Sequence, residues 1–139
     1  MIQLILGEKG KGKTKILLDK VNSEIKTAHG NIVYLDKSTK HMFELNNKVR
    51  LIDVSGFELS NSDEFIGFIY GIISQDHDLE QMYLDSFLTI ASIDSESVNG
   101  LLSRLAKIGE NYQITFVVSA SIPGTVIADE FKECIIADL

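Results

Sequence analysis

Gly7-Glu8-Lys9-Gly10-Lys11-Gly12-Lys13-Thr14, followed by Lys15, lies close to the amino terminus of the chain. It carries the complete G-x-x-x-x-G-K-T spacing of a phosphate-binding loop. The flanking residues supply the context that this spacing demands. Ile2 to Leu6 is an almost unbroken apolar run and reads as a buried strand, while Leu17, Val21, Ile25 and Ala28 recur at helical spacing. Strand, glycine loop and helix therefore follow one another in the order that puts an anion at a helix start.

The residue types fit that chemistry. Glycines at 7, 10 and 12 let the backbone turn with positive φ and expose a run of N–H groups where the helix dipole is positive. Lys13 adds a point charge for β- and γ-phosphates, and the Thr14 hydroxyl offers one coordination site to Mg²⁺, an ion that keeps several waters and needs few protein ligands. Lys9 and Lys11 raise the local positive potential. The nucleotide-binding set read from the motif is Gly7, Glu8, Lys9, Gly10, Lys11, Gly12, Lys13, Thr14 and Lys15.

Composition bounds the rest. A chain of 139 residues with 45% hydrophobic content can build one core, and no linker-like or low-complexity stretch divides it, so residues 1–139 are expected to form a single nucleotide-binding domain. A net charge of -7 and a pI near 4.9 argue against a protein that coats nucleic acid. Cys134 sits in the apolar run Cys134-Ile135-Ile136-Ala137, reads as a small buried core residue, and has no second cysteine to pair with. The longest apolar run, Phe65 to Ile73, falls well short of the roughly 20 residues of a membrane span. With no signal-peptide pattern at the start, a cytoplasmic location without a membrane span is expected.

Strands are expected near Ile2–Leu6, Ile32–Leu35, Arg50–Val54, Met82–Leu84, Ile114–Ser119 and Cys134–Ala137. The first helix should run from the loop to about His29, with Gly30 in the left-handed position that stops it. A second starts after Asn61, where Glu64 completes a capping-box-like pattern, and a third carries Val98, Leu101, Leu102, Leu105 and Ile108. Thr39–Leu45 and Val126–Lys132 read as short helices. Such alternating units imply an α/β fold with a parallel sheet covered on both faces.

Two strand ends compete as the partner of Thr14. Met82-Tyr83-Leu84-Asp85-Ser86 ends an apolar strand in a carboxylate, the Walker B pattern, in which Asp85 holds Mg²⁺ opposite Thr14. Leu51-Ile52-Asp53-Val54-Ser55-Gly56 gives the Asp-x-x-Gly that GTPases place beneath the γ-phosphate, but no Asn-Lys-x-Asp follows it. Capping of a local turn is the alternative for Asp53. Asp76-His77-Asp78 reads as a solvated turn rather than a metal site, and His29 and His41 have no partners at ligand spacing. Gly67 and Gly71 form a small-xxx-small pattern, read first as close packing on the sheet and second as a subunit interface.

The phosphate loop, Leu84-Asp85-Ser86 and the polar strand end at Ser119 together resemble the RecA-like branch of P-loop NTPases, which includes recombinases, KaiC-type ATPases and replicative helicases. The chain is also similar to short ATP-binding proteins labelled as relatives of the PilT twitching ATPase. The RecA-like resemblance implies a three-layer sandwich, with the phosphate-loop strand central and the Walker B strand not its direct continuation. It also implies ATP and Mg²⁺ as ligands, Asp85 and Thr14 at the metal, Ser119 as a sensor of the γ-phosphate, and Lys13 in phosphoryl transfer. Relatives carry a water-orienting glutamate at the end of the strand after the first helix; Asp36 is the nearest carboxylate here, and Glu58, after the third strand, is another candidate. Only two arginines exist, Arg50 and Arg104, so an arginine finger in cis is not expected. The expected function is Mg²⁺-dependent ATP binding with weak or partner-dependent ATPase activity, in a homo-oligomer or with a protein partner. A small-molecule kinase, resembling thymidine or adenosylcobinamide kinases, and a non-hydrolysing nucleotide-dependent regulatory module are the alternatives.

Overall fold

A computed structural model describes residues 1–139. The strands are β1 (Ile2–Leu6), β2 (Asn31–Asp36), β3 (Arg50–Asp53), β4 (Leu79–Leu84), β5 (Thr115–Ala120) and β6 (Ile135–Asp138), and the helices are α1 (Lys13–Glu24), α2 (Ser62–Ser74), α3 (Phe87–Ala91) and α4 (Val98–Tyr112). The strands form one six-stranded sheet in the order β3-β2-β4-β5-β1-β6, parallel at every pairing.

The two-residue period of the strands sorts side chains into two cores. On one face Ile5, Ile32, Tyr34, Tyr83 and Val117 pack against Leu17, Leu18 and Val21 of α1. On the other, alternate residues such as Leu4, Leu35, Met82, Leu84 and Val118 meet Phe65 and Ile69 of α2, Phe87 of α3 and Leu101 and Leu105 of α4. Each fully buried Leu, Ile or Phe contributes about 1.5–3 kcal/mol. Two helical layers thus enclose the sheet, giving the expected three-layer α/β architecture. No helix is long and apolar enough to cross a membrane.

Several local expectations change. The phosphate-loop strand β1 is not central: after β5 the chain passes over it and lays β6 on its outer edge, leaving β1 interior but next to the edge. Strand β5 lies between β1 and β4. Helix α1 ends at Glu24, and Gly30 is not left-handed; the positive-φ glycines are Gly7, Gly10 and Gly12. Gly30 is required for space instead, since a Cβ there would lie 2.2 Å from the carbonyl oxygen of Asp78. Gly67 and Gly71 do not pack on the sheet: both are exposed, with nothing within 4 Å of an added Cβ, on the face of α2 that carries Tyr70.

Capping sets the start of α2 as expected. Asn61 Oδ1 accepts from Glu64 N at 2.9 Å, and Glu64 Oε1 accepts from Ser60 N at 2.6 Å. The two short helices appear as tighter 3-10 turns, Met42–Glu44 in one region and Gly124–Val126 with Asp129–Cys134 in the other. Cys134 is only half-buried. Asp76 is not solvated: its buried carboxylate accepts from Asn31 Nδ2 at 2.9 Å, Asp78 N at 3.1 Å and an Arg50 guanidinium nitrogen at 3.4 Å, tying together the starts of β2 and β3 and the turn before β4.

Candidate functional site

Connections from β1 and β2 run on the α1 face, where Leu45 and Val49 also pack, whereas those from β4 and β5 cover the opposite face. A crevice must open at the carboxyl edge between strands whose connections diverge in this way. The loop after β1 and the ends of β2, β4 and β5 converge there on a cleft of about 540 Å³.

The loop takes the shape its glycines permit. Gly10 and Gly12 have φ of 86° and 94° with open space where a Cβ would go, so conformation alone makes a side chain costly at these positions. Gly12 is the N-cap of α1, and the first turn after it offers N–H groups that have no partner within the helix. Lys13 Nζ donates to the Glu8 carbonyl at 2.9 Å, which closes the loop on itself. Burial lowers the Lys13 pKa; the nearby Asp85 charge opposes the shift and Lys37 adds to it.

Asp85, 2% exposed, is the hub of the site. Its Oδ1 accepts from Thr14 Oγ1 at 3.2 Å and from Ser119 Oγ at 2.8 Å, and its Oδ2 accepts from the Tyr34 hydroxyl at 2.8 Å. Ser119 Oγ in turn accepts from Ser86 N at 2.9 Å. Burial, then the Asp85 charge, pushes the Tyr34 pKa far above its ordinary value, so the phenol stays a donor. The ring lies stacked on Tyr83, with centroids 6.1 Å apart.

Asp36, also 2% exposed, lines the same cleft. Its Oδ1 accepts from Lys37 N at 2.7 Å, while its buried Oδ2 has no partner. Burial and then the Asp85 carboxylate raise its pKa, against smaller opposing effects of the Lys37 N–H, His41 and the Lys37 charge.

Of the motif residues, Lys9, Gly10, Gly12, Lys13 and Thr14 line the cleft, whereas Gly7, Glu8, Lys11 and Lys15 do not. Lys15 points elsewhere, to Asp19 at 3.3 Å. Glu58 is exposed and outside the cleft. Asp53 is outside it as well and caps its own turn, accepting from Ser55 N at 3.0 Å and Ser55 Oγ at 2.6 Å. Sequence reading missed Tyr34, whose only signal is a hydroxyl two residues before Asp36, on the same face of an otherwise apolar strand. It also missed Lys37, Lys40 and Thr89 in the lining.

Nowhere do three or more His, Cys, Asp or Glu side chains gather as a metal cage. The donor set at the cleft is a threonine hydroxyl, the Asp85 carboxylate and the orphaned Asp36 oxygen. Few, hard oxygen donors with room for water suit Mg²⁺ and not a soft metal.

No protein-family model matches the chain, and no curated protein does. Among solved structures, a KaiC-like protein of the hyperthermophilic archaeon Pyrococcus horikoshii OT3 aligns over 95% of this chain and 66% of its own, with a TM-score of 0.62 and 18% identity. The chain therefore spans just under two-thirds of that structure. At such identity the likeness is one of fold: the chain shares with that KaiC-like protein a three-layer α/β architecture built on a parallel sheet.

Proposed function

We propose that the chain binds ATP with Mg²⁺ in the cleft and turns it over slowly, or only with a partner. The observation that carries this reading is the hydrogen bond from Thr14, on the phosphate loop, to Asp85, at a strand end 71 residues away. On binding, Lys13 exchanges the Glu8 carbonyl for phosphate oxygens, and the loop N–H groups wrap the same anion. Thr14, whose hydroxyl donates to Asp85, would hold Mg²⁺ through its oxygen, together with the Asp85 carboxylate. Bound Mg²⁺ supplies charge neutralisation for the phosphates. Ser119, held between Ser86 N and Asp85, reports the occupancy of that position to β5.

Asp36 is the proposed water-orienting group. It lies at the end of the strand after α1, with one carboxylate oxygen free and buried. Slow turnover is supported by the arginines: Arg104 is engaged with Asp63 at 2.7 Å and Arg50 with Asp76, both outside the cleft. The same observation favours a nucleotide-dependent regulatory module as the second reading, and phosphate release by the isolated chain separates the two. Lys13→Ala should weaken Mg-ATP binding at least tenfold, about 1.4 kcal/mol, in a calorimetric titration. Equal affinity of variant and parent rejects the assignment of the cleft.

A further inference from the structure

The connection from β2 to β3 brings a second set of cations to the cleft. Lys37 and Lys40 line it together with Lys9 and Lys13 of the loop, against the two carboxylates Asp36 and Asp85. This inverts the balance of the chain, in which 13 Lys and Arg residues face 20 Asp and Glu residues. Lys37 and Lys40 are exposed, and neither takes part in any of the ion pairs of the structure. The two sets converge at the cleft closely enough for the Lys37 charge to act on Lys13.

The segment that carries them is held by local hydrogen bonds to its own side chains. Lys37 N donates to the buried Asp36 Oδ1 at 2.7 Å, Lys40 N donates to Ser38 Oγ at 3.2 Å, and His41 Nδ1 meets Glu44 Oε2. The lysine stems thus start from an anchored strand end and are not part of a free loop. The loop backbone and Lys13 already supply the contacts that a nucleoside diphosphate and a nucleoside triphosphate share. What distinguishes the triphosphate is one further phosphate and its negative charge, and the lysines of this cleft that do not belong to the loop, Lys37 and Lys40, follow the end of β2, beside Asp36.

We infer that Lys37 and Lys40 form a second phosphate clamp, supplied in cis, that selects nucleoside triphosphate over diphosphate by meeting the terminal phosphate. The clamp rests on the nucleotide reading above and assigns the cationic role that neither arginine fills. Both side chains are exposed, so removing them leaves the fold intact.

The test is calorimetric titration of the full chain with Mg-ADP and with a non-hydrolysable Mg-ATP analogue, comparing the parent with Lys37→Ala, Lys40→Ala and the double variant. Lys107→Ala, an exposed charge on α4 outside the cleft, controls for net charge. The expected result is a loss of about tenfold or more for the triphosphate analogue in the double variant, with ADP affinity changed by less than about twofold. Equal losses for both nucleotides, losses matched by Lys107→Ala, or no loss at all overturn the clamp while leaving the nucleotide site standing. A parent chain that binds neither nucleotide overturns both, a result distinguishable from the others in the first titration.

Discussion

Replacing Tyr34 by Phe removes a single oxygen from the fully buried wall of the site. The ring remains, so its stacking on Tyr83 and its packing under α1 persist and no sizeable cavity opens. What is lost is the 2.8 Å donor to Asp85 Oδ2, the only hydrogen bond that oxygen receives; Thr14 and Ser119 both serve Oδ1. A hydrogen bond to a charged acceptor is worth about 1.5–3 kcal/mol, and a buried carboxylate oxygen left without its one donor falls toward the upper end. The variant should therefore be destabilised by about 2–3 kcal/mol, a large share of the roughly 5–15 kcal/mol that holds a domain together. Urea unfolding of the nucleotide-free chain should show the midpoint falling by about 1 M at unchanged slope, since no additional surface is exposed. A double-mutant cycle isolates the cause: in an Asp85→Asn background the same change should cost at least about 1 kcal/mol less, because the acceptor is no longer charged. A loss below about 0.5 kcal/mol in the parent, or an equal loss in both backgrounds, refutes the view that this hydroxyl holds the carboxylate.

Asp85→Asn should abolish most of the Mg²⁺ dependence of nucleotide affinity while Asp53→Asn leaves it intact; calorimetry with and without the metal reads this, and the reverse pattern moves the site to β3. Asp36→Asn should stabilise the nucleotide-free chain near neutral pH. Burial and Asp85 let native Asp36 keep a proton that the unfolded chain has already released, so its stabilising contribution is complete below the ordinary carboxylate value of 3.8 and is lost as pH rises through the raised pKa. The advantage of the variant in urea midpoint should accordingly fade as pH is lowered toward 3.8, and a pH-independent advantage contradicts the assignment. Gly67→Ala and Gly71→Ala fill open space on an exposed helix face and should each raise stability by about 0.5–1 kcal/mol in thermal or urea unfolding, whereas a loss shows that another surface covers that face.

The phosphate loop was legible because its demands are local. Positive φ at Gly10 and Gly12, an apolar strand before them and a periodic helix after them are all written within some two dozen residues. Gly30 shows where locality fails. A glycine after a helix reads as a cap, yet this one exists because the Asp78 carbonyl, distant in sequence, occupies the space of its side chain. Asp76 fails similarly: three polar residues in a row read as solvated, but Asn31 and Arg50 arrive from two other strands to satisfy the buried carboxylate.

The partner of Thr14 is a sharper case. Asp53 and Asp85 both close apolar strands, and nothing in either stretch says which one lies beside the loop. Strand order decides: β3 stands at the far edge, whereas β4 is separated from β1 only by β5, which contributes Ser119 to the same carboxylate. Register then determines which side chains meet. Tyr34 pairs with Tyr83, Leu84 with Val118 and Ile5 with Ser119, so Asp36, Asp85 and Ser119 emerge on the α1 face at the carboxyl ends of their strands, with Tyr34 two residues before Asp36 on the same face. A slip of one residue between β2 and β4 would send Tyr34 to the other face and expose Leu35 and Val33 to the wrong core. The alternating apolar residues that hold the two cores apart are therefore also what aligns the polar ones, and the site is a consequence of the same hydrophobic pattern that builds the sheet.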